Sequence, residues 1–267
     1  MYAFEVHRPT TVRQAVNLLA KNPEAKLLAG GHSLVPVMKM RLASPSALID
    51  LSKVEGLSGI EVGSRSVTIG AMTRHRDVAR SPELHQAMPA LASVPDSIGD
   101  PHVRNRGTIG GSIANNDPNA DYPAACLGLG ATIITNKRKI PADEYFQGMF
   151  DTALEPDEII TKVSFPIAKK AGYEKFKHPA SGFALVGVFV SKRGSEIRVA
   201  VTGAGANGVF RATAFEEALK KRFHPKSLDG VTLSPDLMNS DIHAGKDYRA
   251  HLVGVMARRA LAKAVAG

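Results

Sequence analysis

Cysteine is nearly absent: of 267 residues only Cys126 carries a thiol. One cysteine excludes an intramolecular disulfide, a cysteine-rich zinc site and a four-cysteine iron–sulfur cluster within this chain. The nine histidines are scattered, with no His-Glu-x-x-His pair at helical spacing. Redox chemistry, if the chain takes part in it, then needs an organic cofactor or a metal in a partner. Tryptophan is absent and aromatics make up 6%, so no platform for stacking single strands is offered. The formal charge of +9 is spread along the chain and reads as a solvated basic surface or a contact with an acidic subunit, not as a nucleic-acid stripe. No apolar run reaches the length of a membrane span. The opening Met-Tyr-Ala-Phe-Glu-Val-His-Arg lacks the apolar core of a signal peptide, and the expectation is a cytoplasmic protein. Cys126, among Ala124, Ala125 and Leu127, reads as buried packing.

Ordinary apolar (44%) and charged (22%) fractions remain, enough for a globular α+β chain. A first helix is expected over 9–22, capped by Thr10 or Thr11, with Val12, Val16, Leu19 and Ala20 on one face. Strands at 25–29 and 47–51 make this opening a small β-α-β unit. Further strands are expected at 66–69, 131–135 and 158–165, with helices at 73–79 and 82–91 between them. Pro166 to Gly172 marks a boundary. Beyond it, strands at 183–191 and 197–202 form a hairpin through Lys-Arg-Gly-Ser, followed by a capped helix at 213–221 and a closing helix at 248–266. The expected division is 1–55, 56–170 and 171–267.

Two glycine segments stand out. The first is Leu28-Ala29-Gly30-Gly31-His32-Ser33-Leu34, after an apolar strand. The second is Gly107-Thr108-Ile109-Gly110-Gly111-Ser112. Paired glycines let the backbone turn tightly and let another group come close. Exposed N–H groups in such a turn form an anion nest, to which Ser33, Thr108 and Ser112 would add hydroxyls. Each alone reads first as a plain turn; two together suit a ligand with two phosphates. Asp121 is wrong for phosphate but right for ribose or ribityl hydroxyls, with a surface turn as the alternative. A third segment, Gly203-Ala-Gly205-Ala-Asn-Gly208, fits G-x-G-x-x-G, but its helix begins late and only about 60 residues follow, too few for a mononucleotide-binding half. No Gly-Lys-Ser/Thr, G-x-S-x-G elbow or complete kinase loop is present. His32 reads as loop support.

Four segments in register resemble a known family: Ala29–Leu34, Asp100–Ser112, Asn116–Pro123 and Tyr173–Lys177. They are similar to the medium subunit of carbon monoxide dehydrogenase and, more broadly, to the FAD domain of the xanthine dehydrogenase family of molybdenum hydroxylases. The resemblance runs over nearly the whole chain. It implies the FAD-binding fold shared with vanillyl alcohol oxidase: two α/β subdomains and a C-terminal domain of antiparallel sheet and helices. It implies FAD held by Leu28 to Val35 and by Gly107 to Gly111, with Ile98 against the flavin region and Asp121 on cofactor hydroxyls. Ile160 falls at an apolar contact position, Lys177 at the basic one, and Phe183 where an aromatic covers the flavin. Two departures concern fine tuning: Ser112 stands where relatives commonly have Asn, and Phe183 where a tyrosine is expected.

The same resemblance places substrate oxidation at a molybdenum cofactor in a large subunit, and two 2Fe–2S clusters in a small one, in a dimer of heterotrimers. Electrons would reach FAD here and leave to quinone, NAD or oxygen, so no catalytic acid, base, nucleophile or metal ligand is expected in this chain. Two rivals remain at this point: a stand-alone FAD oxidoreductase of the same fold, and a non-enzymatic nucleotide-binding module.

Overall fold

The computed structural model describes residues 1–266. The chain opens with β1 (Glu5–His7), α1 (Val12–Lys21), β2 (Lys26–Leu28), α2 (Leu34–Lys39) and β3 (Ala47–Asp50). The three strands form a parallel sheet in the order β1-β3-β2, the β-α-β unit expected. Thr11 caps α1 by accepting from the Gln14 N–H at 3.2 Å, while the Gln14 side chain reaches back to the Thr10 N–H at 2.8 Å. The buried face of α1 is Ala15 and Leu19, flanked by Val12 and Val16; Ala20, expected on that face, points to solvent.

The middle of the chain comprises β4 (Ile60–Val62), β5 (Ser66–Gly70), α3 (His75–Ala79), α4 (Pro82–Ala87), α5 (Pro89–Asp96), α6 (Pro101–Arg106), α7 (Ile109–Asn115) and α8 (Tyr122–Leu129). It continues through β6 (Thr132–Thr135), β7 (Lys139–Pro141), α9 (Ala142–Tyr145), the pair β8 (Phe146–Gly148) and β9 (Asp151–Thr152), and β10 (Ile160–Pro166). Five strands form an antiparallel sheet, β4-β5-β10-β6-β7. The single helix expected at 82–91 is two, because Pro89 disfavours helical geometry at Met88 (φ −149, ψ 74). α8 is apolar all round and wholly buried, Cys126 included. Burial pushes the Cys126 thiol well above its usual range, so it stays protonated and inert.

The last segment holds β11 (Lys170–Lys177), β12 (Ala184–Arg193), β13 (Glu196–Thr202), β14 (Phe210–Arg211), α10 (Thr213–Lys221) and α11 (Lys246–Ala266). The strands form an antiparallel sheet in chain order. Gly194, at φ +60, turns the β12–β13 hairpin. α11 lies on β11, and Gly172 makes this possible: a Cβ there would collide with the Ala260 carbonyl. The side-chain cap expected at the start of α10 is missing. Instead Glu216 in its first turn accepts from the Val199 N–H (2.9 Å) and pairs with Arg211 (2.7 Å). Phe189, Ala200 and Tyr173 reach into the core of the five-stranded sheet, so the last segment packs directly onto the middle one.

Candidate cofactor cleft

A cleft of about 740 Å³ lies where the three sheets meet. One wall is the run from the end of β2 into α2. Leu28, Ala29, Gly30, Gly31, His32, Ser33 and Leu34 line it. Gly31 has φ +74, a conformation open to glycine and costly for other residues. Beyond it the N–H groups of Gly31, His32 and Ser33 find no acceptor among the described residues. His32 Nδ1 lies 3.1 Å from the Gly30 carbonyl, the loop-supporting contact expected.

The facing wall holds Gly107, Thr108, Gly110, Gly111 and Ser112. This segment is not the free turn expected from sequence. Gly110 and Gly111 sit in the first turn of α7, and the Thr108 hydroxyl accepts from the Gly111 N–H (3.1 Å) as helix cap. The glycines serve close approach here: a Cβ on Gly110 would lie 2.6 Å from Ala71 Cβ, and one on Gly107 would lie 2.6 Å from His75 Nε2. The two glycine segments touch. A Cβ on Gly30 would collide with the Arg106 carbonyl and lie 2.8 Å from Gly107 Cα; one on Gly111 would lie 3.3 Å from Ala29 Cβ. Residues some 75 positions apart thus form one mouth.

His75 lies under this junction, its N–H donating to the Gly107 carbonyl at 2.9 Å. Burial, with the charges of His32 and Arg104 adding, holds its imidazole down at about 4, so it is neutral at physiological pH. Arg104 fixes the neighbouring loop by donating to the Ile98 and Gly99 carbonyls, each at 3.0 Å, which holds Ile98 at the cleft. Ile160 lines the floor and Phe183 the far rim.

Asp121 also lines the cleft, but it is no surface turn residue: it is 3% exposed. Its Oδ1 accepts from the Tyr173 hydroxyl at 2.5 Å and its Oδ2 from Lys175 Nζ at 3.1 Å, with Nζ also 2.9 Å from Oδ1, and the Lys175 ammonium also donates to the Ser97 carbonyl at 3.0 Å. A carboxylate has about four acceptor positions, so sites remain toward the cleft. Lys177, by contrast, is exposed at the end of β11 and does not line the cleft. A bulge between Phe176 and Lys177 ends the alternation that puts Tyr173 and Lys175 inward. Val35 and Ile109 also lie outside the lining, Ile109 wholly in the core. Sequence reading missed Lys175 and Tyr173. Two-residue alternation inward from the buried Tyr173 is the signal that could have found Lys175. Among the described residues, no three His, Cys, Asp or Glu side chains gather as a metal site. Among the described residues no helix is long and apolar enough to cross a membrane.

Residues 2–168 match the family described as the FAD binding domain in molybdopterin dehydrogenase. The chain is 37% identical to the carbon monoxide dehydrogenase medium chain of Hydrogenophaga pseudoflava, covering 97% of this chain and 96% of that one. It is 34% identical to the nicotine 6-hydroxylase medium subunit of Paenarthrobacter nicotinovorans, covering 96% and 95%. It superposes with a TM-score of 0.89, at 38% identity and over 99% of this chain and 98% of the other, on a chain of the carbon monoxide dehydrogenase from Hydrogenophaga pseudoflava that lacks the Mo-pyranopterin moiety of the molybdenum cofactor. The chain belongs to the family of FAD-binding domains of molybdopterin dehydrogenases. It is an FAD-containing oxidoreductase subunit, with the fold the resemblance implied.

The site fits that cofactor. The volume lies within the roughly 300–1,000 Å³ usual for such clefts. Three consecutive unpaired N–H groups suit a pyrophosphate. The apolar floor of Met72, Leu154 and Ile159 suits aromatic rings.

Proposed function

We propose that this chain is the FAD-carrying electron-relay subunit of a heteromeric molybdenum hydroxylase. The carrying observation is the contact of the two glycine segments, Gly30 against Arg106 and Gly107, at the mouth of the cleft. In this reading the N–H groups of Gly31 to Ser33 and the Ser112 hydroxyl hold the pyrophosphate. Asp121 receives cofactor hydroxyls, and Ile98, Ile160 and Phe183 enclose the rings. Thr108 acts through its cap on α7, and Val35 and Ile109 act by packing. Lys175 holds the Asp121 carboxylate in place through its ion pair, so the basic role expected of Lys177 passes to Lys175. FAD supplies one- and two-electron chemistry when bound; the protein holds it, tunes its surroundings and limits access.

Partners of the relatives' kind complete the reading: a large subunit with the molybdenum cofactor and a small 2Fe–2S subunit, in a dimer of heterotrimers, with quinone, NAD or oxygen as final acceptor. The three segments 1–55, 56–170 and 171–267 act as structural units, each with its own main sheet. A cytoplasmic setting suits a chain whose one thiol is buried and needs no oxidising compartment.

The test is spectroscopic. The purified chain, or its complex, should show flavin absorption, and Gly111→Asp should abolish it by adding bulk and negative charge between Thr108 and Ala29. A folded, colourless protein that takes up no FAD would refute the reading. Steady turnover of a small substrate by the chain alone would favour a self-contained oxidoreductase.

A further inference from the structure

The rim of the cleft is closed by a short loop built around one imidazole. Between β11 and β12, residues 178–183 carry Ser181, Gly182 and Phe183 into the lining. The loop is closed by the His178 N–H donating to the Phe183 carbonyl (2.8 Å) and the Gly182 N–H to the His178 carbonyl (2.9 Å). His178 Nδ1 is its hub: the Ala180 and Ser181 N–H groups donate to it, each at 3.3 Å, and the Ser181 hydroxyl lies at 3.2 Å. The Phe183 N–H donates in turn to that hydroxyl at 3.3 Å.

These contacts fix the protonation of two rings. A nitrogen that accepts from backbone N–H groups carries no proton, so in neutral His178 the proton is on Nε2. Nε2 lies 3.1 Å from His243 Nδ1. It donates there, and His243 must carry its own proton on Nε2. Adding a proton to His178 Nδ1 sets it against two N–H donors. Adding one to His243 Nδ1 sets two N–H groups face to face. Neither protonation fits the observed geometry.

The pair is anchored to the core. The His243 N–H donates to Asp241 Oδ1 (2.8 Å), and Asp241 Oδ2 accepts from Arg249 Nη2 (2.7 Å). Arg249 on α11 is buried and donates to the Leu185 and Gly203 carbonyls (2.8 and 2.7 Å). A polar chain therefore runs from a buried guanidinium to the cleft rim. The charged groups bonded into this network are Asp241, in the segment before α11, and Arg249 on α11, and Lys177 on β11 precedes His178 in the chain. Asp241 and Arg249 are paired with each other and largely offset.

We propose that His178 is a positioning residue for the cleft: with both imidazoles neutral, the His178–His243 pair holds the 178–183 loop and Phe183 closed at the rim, and a proton on either ring releases them. The loop mechanics stand on this geometry alone; that the closed loop covers FAD rests on the function proposed above.

The chain has no tryptophan, so Phe183→Trp in the full chain gives a single emitting indole at the rim. Its emission anisotropy should fall on going from about pH 8 to about pH 5, the range over which imidazoles can gain a proton, while the far-ultraviolet circular dichroism holds. Adding His178→Asn, whose carbonyl oxygen replaces Nδ1 as acceptor and does not titrate, should keep anisotropy high at both ends. Adding His178→Ala should leave it low throughout. In the unsubstituted chain, amide exchange at 180–182, measured against an unstructured peptide at each pH, should rise on the same titration. A flat response with His178 present, or an acid loss that persists in His178→Asn, overturns the proposal. Both measurements are made with and without FAD, so a chain that binds no FAD yet shows the titration would sink only the cofactor reading.

Discussion

At the scale of single residues, the cleft rests on two kinds of position, glycines where no Cβ fits and one buried ion pair. Gly30 is the sharper of the glycines, because the group its Cβ would strike is the Arg106 backbone, which cannot rotate away. Gly30→Ala should therefore separate the two glycine segments, costing about 1–3 kcal/mol as overpacking does. FAD affinity should fall by about tenfold or more, since each 1.4 kcal/mol is a factor of ten. Equilibrium dialysis against FAD measures the second effect. Gly245→Ala is the control: its Cβ meets open space at an ordinary φ, and it should change stability by no more than about 0.5 kcal/mol. The ion pair makes a different forecast. Asp121 and Lys175 side chains are 4% and 3% exposed, so removing the cation leaves a carboxylate in the interior without its counter-charge. Lys175→Met should cost about 3–5 kcal/mol in urea unfolding, and Asp121→Asn added to it should recover part of that loss. Equal stability of Lys175→Met and the natural chain would show that water, not Lys175, balances Asp121.

At the scale of elements, a bidentate carboxylate ties the β6–β7 hairpin to the approach to β10. Glu158 accepts from Arg138 Nε (3.0 Å) and Nη2 (2.9 Å) and from the Thr135 hydroxyl (2.7 Å). The Arg138 guanidinium beside it holds the Glu158 carboxyl down at about 2, against 4.5 when free. A depressed carboxyl contributes stability that is complete above its unfolded value and lost as pH falls from there through the folded one. The Glu158 contribution should thus disappear between about pH 4.5 and about pH 2. Glu158→Gln should be less stable than the natural chain near neutrality, with the gap narrowing across that window in acid unfolding curves. A gap that stays constant down to pH 2 would exclude this pair as the cause. Elements of this kind explain what sequence made legible. Strong hydrophobic alternation or periodicity with clear punctuation marked α1, β2, β3, β5, β6, β10, the β12–β13 hairpin, α10 and α11. More elements escaped, α2, β4, α7, α8 and β7 among them, and three others show why. β1 is three residues with none buried. α6 is six residues with none buried, so no apolar face marks it, although its Asp100 cap and Pro101 are local signals. β11 alternates charged with apolar residues, and its inward Lys175 reads as outward until Asp121 is known to face it. The glycine pairs were legible as a pair, but the helical setting of the second was not, because its packing partner, Ala71, lies far away in sequence.

At the scale of the molecule, no single sheet owns the cleft. Its lining comes from the end of β2 in the parallel sheet, from the segment entering α7 and from Ile160 in the five-stranded unit, and from 181–183 beside the C-terminal sheet. A ligand that touches all three units stabilises their arrangement as well as the loops it meets. Binding only to the folded chain adds RT ln(1 + [L]/Kd), about 2.7 kcal/mol at a hundredfold excess over Kd. Because the last segment shares core residues with the middle one, through Tyr173, Phe189 and Ala200, that stabilisation should reach the C-terminal sheet. FAD should raise the thermal midpoint of a single unfolding transition instead of splitting it. It should also slow amide exchange at 28–34, 107–112 and 181–183 together. Under Gly111→Asp all three protections should vanish at once, although only one of those segments carries the substitution. Protection by FAD confined to 28–34 and 107–112, with 181–183 exchanging as in its absence, would mean that the cleft is closed by the first two units alone and that the C-terminal loop is a bystander to cofactor binding.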